Sequence, residues 1–170
     1  MSPSFASPDL SPVASRAAWK GASIDWQREG DDFARGRYSR AHRWSFDGGI
    51  RVAASASPLV VPLPFSSERA IDPEEALVAA AASCHMLSFL HVASKRGFVV
   101  ERYEDDAEGI MERNARGRYA VTHITLRPRI IFAGTGQPNA ADLAGLHHAA
   151  HEECYIANSI SAEIVVEAPQ

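Results

Sequence analysis

Asp72-Pro73-Glu74-Glu75-Ala76-Leu77-Val78-Ala79-Ala80-Ala81-Ala82-Ser83-Cys84-His85-Met86 is the stretch on which the fold turns. Asp72 is a helix cap, and Pro73 stands at the first helical position, where a missing N–H costs little. Glu74 and Glu75 fill the first turn, where the helix dipole favours negative charge. From Leu77 to Val92 apolar residues occupy every face instead of one stripe, which predicts a helix buried on most sides. Lys95-Arg96-Gly97 closes it with cations and a glycine. The uncharged run from Ala76 to Ser94 is rich in alanine and interrupted by Ser83, His85, Ser88 and His91, so soluble burial explains it better than a membrane span.

Strand signals lie on both sides. Upstream, Ala17 to Trp26 roughly alternates and ends in the turn-like Glu29-Gly30-Asp31-Asp32. A second stretch from about Gly36 to Phe46 meets Asp47-Gly48-Gly49, a hairpin signal, and Ile50 to Ser55 continues beyond it. Pro58, Pro62 and Pro64 make 57–71 a long connection. Downstream, Phe98 to Glu112 and Arg118 to Phe132 read as two extended segments around an Asn114-Ala115-Arg116-Gly117 turn. After a loop at 133–138, Asn139 to about Glu153 forms a second helix with Leu143, Leu146, His147 and Ala150 at helical spacing, and Ser161 to Glu167 is a last strand. This order predicts an α+β protein with one domain over 16–170 and a disordered lead at 1–15.

Composition narrows the function classes. With a net charge of −4 and a pI near 6.0, the chain offers no attractive field to phosphates, so nucleic acid is not expected as a partner. The first residues lack a basic start and an apolar stretch, so they do not read as a secretory signal, and a cytoplasmic location is expected. In that compartment lone thiols stay reduced unless chemistry oxidises them.

Only two cysteines occur, Cys84 and Cys154, and so few thiols do not make a disulfide scaffold. A cysteine within a buried helix is ordinarily inert packing. At Cys84, however, Ala80, Ala81 and Ser83 are small enough to admit another element or a ligand near the sulfur, and Ser88 lies one turn on. His147 and His151 share a helix face with Cys154 three residues beyond, which invites a metal reading. A site there would need Cys84 or Glu74 as a further ligand, and no CxxC or HExxH spacing supports it, so neither metal nor cofactor is expected. Arginine supplies all the basic residues but Lys20 and Lys95, and six fall between 28 and 51: Arg28, Arg35, Arg37, Arg40, Arg43 and Arg51. One turned inward would hold a carboxylate bidentately and stabilise a thiolate.

The stretch from Asp72 through Ser83-Cys84-His85-Met86, followed by His151-Glu152-Glu153-Cys154, resembles the OsmC/Ohr family of osmotically inducible and organic-hydroperoxide-resistance proteins. The resemblance implies antiparallel sheets wrapped around two central helices in an intertwined homodimer, with the active site at the subunit interface. It further implies a thiol peroxidase that reduces organic hydroperoxides to alcohols, with a dithiol or lipoylated protein as reductant. By position, Cys84 corresponds to the attacking thiol, Cys154 to the resolving thiol, Glu74 to the arginine-holding carboxylate, and Arg40, with Arg37 in reserve, to the arginine. Two positions depart from the pattern: Tyr155 follows the second cysteine where proline is common, and His85 stands where an aromatic is frequent. The family spacing places the two thiols within disulfide reach, with Cα atoms inside about 7 Å. Glu74 and Cys84 lie about 15 Å apart along one helix, so they can share a site only if Glu74 comes from the partner subunit, the more economical arrangement, or if the helix is broken between them. The alternative functions are a non-catalytic small-ligand-binding protein and a redox sensor on the same fold.

Overall fold

The computed structural model describes residues 20–28 and 32–167, so the expected lead at 1–15 and the start of the first strand lie outside the described residues. Helix α1 spans Pro73–Lys95 and begins as its sequence dictates. The Asp72 carboxylate accepts the Glu75 N–H at 2.7 Å, and the Glu75 carboxylate accepts the Asp72 N–H at 3.2 Å. That reciprocal box satisfies two otherwise unpaired donors and engages Glu75, leaving Glu74 for other work. At the far end Gly97 takes φ +80°, the left-handed turn that glycine makes without strain.

Burial along α1 follows one line, Ala81, His85, Phe89, Val92 and Ala93. The expectation of burial on most sides is therefore corrected for the single chain. Ala79, Ala80, Ser83 and Leu87 are exposed, and Leu87 is 61% open. The physical reason is that one chain supplies cover on one side only. By length and composition α1 could cross a membrane, but its buried line packs on protein.

Helix α2, Ala140–Glu153, starts with a second reciprocal cap between Asn139 and Asp142. Its Leu146 and Ala150 meet Phe89, Val92 and Ala93 of α1 in one core. The other core gathers Ala81, Ile124 and Leu126 under the sheet, with Val78, Ile156 and Ile164 around them.

The two long segments expected after α1 are four strands. β4 (Val99–Asp105) pairs antiparallel with β7 (Pro128–Ala133), and β5 (Glu108–Arg113) with β6 (Tyr119–Leu126). The break falls where the Asp105 carboxylate takes the Arg127 N–H at 2.7 Å and Pro128 has no N–H to give a ladder. Asn114–Gly117 forms the expected turn between β5 and β6. β8 (Glu163–Val166) pairs parallel to β6, which corrects the all-antiparallel expectation. The chain reaches β8 through α2, and a helical return allows a parallel neighbour. Helix and sheet approach closely at Gly109, where a Cβ would stand 2.5 Å from Val78 Cγ2.

The remaining strands form an arm. β1 (Ala22–Asp25), β2 (His42–Phe46) and β3 (Arg51–Ala54) make a three-stranded antiparallel sheet, with Asp47-Gly48-Gly49 at the β2–β3 turn as expected. A single 3₁₀ turn at Phe33–Arg35 precedes the expected second strand, which starts at His42 instead of about Gly36. The arm is tied to the helix start by Ser55 N–H to Ile71 O at 3.0 Å and Ile71 N–H to Ala53 O at 3.1 Å.

Candidate active site

Two helices deliver one thiol each to the same place. Cys84 sits half-buried in mid α1, and Cys154 caps the C-terminus of α2 with 1% of its surface exposed. Both are free, and Cys84 lies close enough to Cys154 to act on its ionisation. The turn after α2 turns two successive amides toward them: Ile156 N–H lies 3.5 Å from Cys84 Sγ, and Ala157 N–H lies 3.4 Å from Cys154 Sγ. Asn158 fixes that turn, its side-chain amide donating to the carbonyls of Glu152 and Cys154 at 3.0 Å each. The Tyr155-Ile156-Ala157-Asn158 sequence, which departs from the family pattern, therefore supplies amide donors to both sulfurs.

The thiols differ in burial. Burial pushes the Cys154 thiol up, the Ala157 amide pulls the other way, and the neighbouring Cys84 adds to the rise. A buried thiol held above its ordinary range remains protonated at neutral pH and is a poor first nucleophile. Cys84 is the less buried of the two residues.

Arg40 and Glu74 meet in a different place. Both line a cavity of about 470 Å³ walled by Trp26, Phe33, Tyr38 and Ser55. The Arg40 guanidinium lies 3.7 Å from the Tyr38 ring centroid, and its Nη1 donates to the carbonyls of Gly36 at 2.9 Å and Tyr38 at 2.6 Å. Phe33 and Tyr38 pack with ring centroids 4.5 Å apart, and Trp26 flanks both. The Ser55 hydroxyl is buried and has no partner among the described residues. Arg37 is exposed on the turn and absent from the cavity lining. Within one chain, among the described residues, Arg40 and Glu74 form no ion pair and neither hydrogen-bonds to Cys84. Glu74 and Cys84 are on one unbroken helix, about 15 Å apart along its axis.

A third group was not anticipated. His85, beside Cys84 and 1% exposed, brings its Nε2 to 3.1 Å from Nδ1 of His147 on α2. Burial first, then the His147 and His151 charges, lower the His85 pKa to about 4, and burial lowers His147 to about 4 as well. Both imidazoles are thus neutral at pH 7. Sequence spacing coupled His147 to His151 on their own helix, whereas the partner lies 62 positions away. The signal available was the adjacency of His85 to Cys84. Among the described residues no cluster of three or more His, Cys, Asp or Glu could hold a metal ion.

The sequence profile of the family described as OsmC-like protein matches residues 66–168. A solved OsmC-like protein of unknown function from Vibrio cholerae O1 biovar eltor is 48% identical to this chain, covers 90% of it and 100% of its own chain, and superposes with a TM-score of 0.87. An organic hydroperoxide resistance protein from Elizabethkingia anophelis superposes with a TM-score of 0.65 at 15% identity, covering 91% of this chain and 96% of its own. The organic hydroperoxide resistance protein OhrB of Bacillus subtilis gives 0.62 at 17% identity, over 88% and 98%. At those two identities the likeness concerns the fold alone. No curated protein matches the chain significantly.

Proposed function

The chain belongs to the OsmC-like protein family, and on that premise we propose that it is a thiol-dependent peroxidase reducing organic hydroperoxides to alcohols. The observation that carries this reading is the thiol pair: a half-buried Cys84 and a buried, protonated Cys154 set beside it, with successive amides of one turn at the two sulfurs. The Cys84 thiolate attacks the distal oxygen of ROOH, the O–O bond breaks, and the alkoxide takes a proton to leave as ROH. Cys84 is then a sulfenic acid. The Cys154 sulfur attacks it, its proton leaves with the hydroxyl as water, and the Cys84–Cys154 disulfide forms before further oxidation. A dithiol, such as a lipoylated protein, returns both thiols. Such a cycle belongs in a reducing cytoplasm.

In this proposal the functional unit is a homodimer in which Arg40 and Glu74 of one chain face Cys84 of the other. The open α1 face at Ala79, Ala80, Ser83 and Leu87 beside Cys84 supports it, as does the location of Arg40 and Glu74 together on the arm side. There the guanidinium would favour the Cys84 thiolate and stabilise the charge developing on the departing oxygen. The aromatic wall of the cavity also suits a second reading, a non-catalytic binder of small apolar ligands, which would bind without consuming peroxide.

One equivalent of an alkyl hydroperoxide, followed by alkylation and mass spectrometry, separates the two. The peroxidase reading expects one alcohol and one Cys84–Cys154 disulfide per chain. Cys84→Ser abolishes consumption, and Cys154→Ser stops after one turnover with sulfenic or sulfinic acid at Cys84. Unmodified thiols in the native protein after exposure would refute it.

A further inference from the structure

The core between α1 and α2 is made of Phe89, Val92, Ala93, Leu146 and Ala150. Such side chains specify volume more than register, because a core of this kind can repack with a neighbouring alignment at modest cost. The thiols tolerate little of that. A disulfide requires Cα atoms within about 7 Å, and sliding one helix by a single residue displaces its cysteine by about 1.5 Å along the axis and turns it by about 100°.

Two directional contacts cross here: the Ile156 N–H of the turn after α2 reaches Cys84 Sγ at 3.5 Å, and one side-chain pair joins the helices themselves. The bond between His85 Nε2 and His147 Nδ1 is the sole side-chain hydrogen bond joining the two helices among the described residues. Its rings are 8° from parallel, and the His147 ring is braced by Phe89 with centroids 4.6 Å apart. Each helix thus carries one thiol and one imidazole of two facing pairs.

The proton can be assigned. His85 Nδ1 is buried and has no hydrogen-bond partner among the described residues. A proton there would be a buried unpaired donor, and His85 Nε2 would have to accept from His147. With the proton on Nε2 instead, His85 donates to His147 Nδ1 and only a bare lone pair is left over, the cheaper of the two arrangements in a neutral pair.

We propose that the His85–His147 hydrogen bond is a register clamp that positions the two thiols, and so sets how readily Cys84 and Cys154 form their disulfide. This rests on reading the thiols as a redox couple and is independent of which oxidant they meet. His85 and His147 are positioning residues, acting on the sulfurs through the alignment of the helices that carry them.

The test is the equilibrium of the Cys84–Cys154 couple in glutathione buffers, where two protein thiols and one oxidised glutathione give the protein disulfide and two reduced glutathiones. His85→Leu and His147→Leu are each expected to lower that equilibrium constant at least about tenfold, raising the potential by about 30 mV. His85→Gln, which keeps an N–H donor near the Nε2 position, restores it to within about threefold of the native value. In the reduced native protein, ¹⁵N spectra of the imidazoles show His85 protonated at Nε2 and bare at Nδ1. An unchanged equilibrium constant in a folded His85→Leu or His147→Leu protein overturns the clamp, and so does a proton found on His85 Nδ1. Should His85→Leu fail to fold, His147→Leu and the ¹⁵N assignment still decide it. A native disulfide in glutathione combined with inertness to hydroperoxide would overturn the peroxidase and leave the clamp supported. Peroxidase activity with an unchanged equilibrium in both leucine variants would do the reverse.

Discussion

Among the described residues, every fully buried large apolar side chain lies in 72–167, whereas the arm and the loop after it, up to residue 65, have none. Phe89, Ile124, Leu126 and Leu146 are fully buried, while Ile24, Phe33, Val60 and Leu59 are 60%, 47%, 63% and 98% exposed. The body is held by helix–helix and helix–sheet cores, and the arm by hydrogen bonds around Ile71. The same division separates the chemistry. The thiols are brought together inside the body of one chain, while Arg40 and Glu74 line a cavity whose other walls come from the arm and the loop after it. In the proposed cycle a single chain supplies both sulfurs, and the charge proposed to assist the attack comes from the second copy.

Truncations on the two sides should differ most in stability. Phe89→Ala removes a ring packed on Tyr103, Phe132 and His147, and is expected to cost about 3–5 kcal/mol in urea unfolding. Leu59→Ala, at a fully open position, is expected to stay within about 0.5 kcal/mol in that measurement. Equal losses at the two positions would break the comparison and show that the arm has a core of its own.

Acid sharpens it next. The folded pKa of His85, about 4, lies below the ordinary 6.5, so between those values the unfolded chain binds more protons than the folded one. Stability from this group is complete above about pH 6.5 and is lost as pH falls through about 4, a span worth about 3 kcal/mol. Urea midpoints at pH 7 and pH 4 should therefore converge more in His85→Leu than in the native protein. An equal fall in both would contradict the assignment of acid sensitivity to the imidazole pair.

What the sequence revealed depended on the range of the interactions involved. The start and end of α1 were legible almost to the residue, because Asp72, Pro73, Glu75 and Gly97 act within one helical turn of themselves. The division of two long segments into β4–β7 was not, since it depends on Asp105 meeting an amide 22 positions away. The parallel placement of β8 is likewise a property of where α2 returns the chain. All-round apolarity in α1 was read as burial on most sides, yet it registers the total cover a helix requires without saying how much comes from its own chain. For the candidate site, Cys84, Cys154, Glu74 and Arg40 were put forward by position from the family resemblance. The imidazole partnership of His85 and His147 escaped because periodicity compares residues along one helix, and this bond joins two.

In the proposed chemistry one site draws on two chains, and subunit mixing tests this. Cys84→Ser and Glu74→Ala chains, each inactive alone, would be mixed, unfolded together and refolded, then assayed for hydroperoxide consumption. Random pairing gives half mixed dimers, each with one site containing both an intact Cys84 and an intact Glu74, so about a quarter of native activity should return. No activity above that of the two parents would contradict the shared site and confine the chemistry to a single chain.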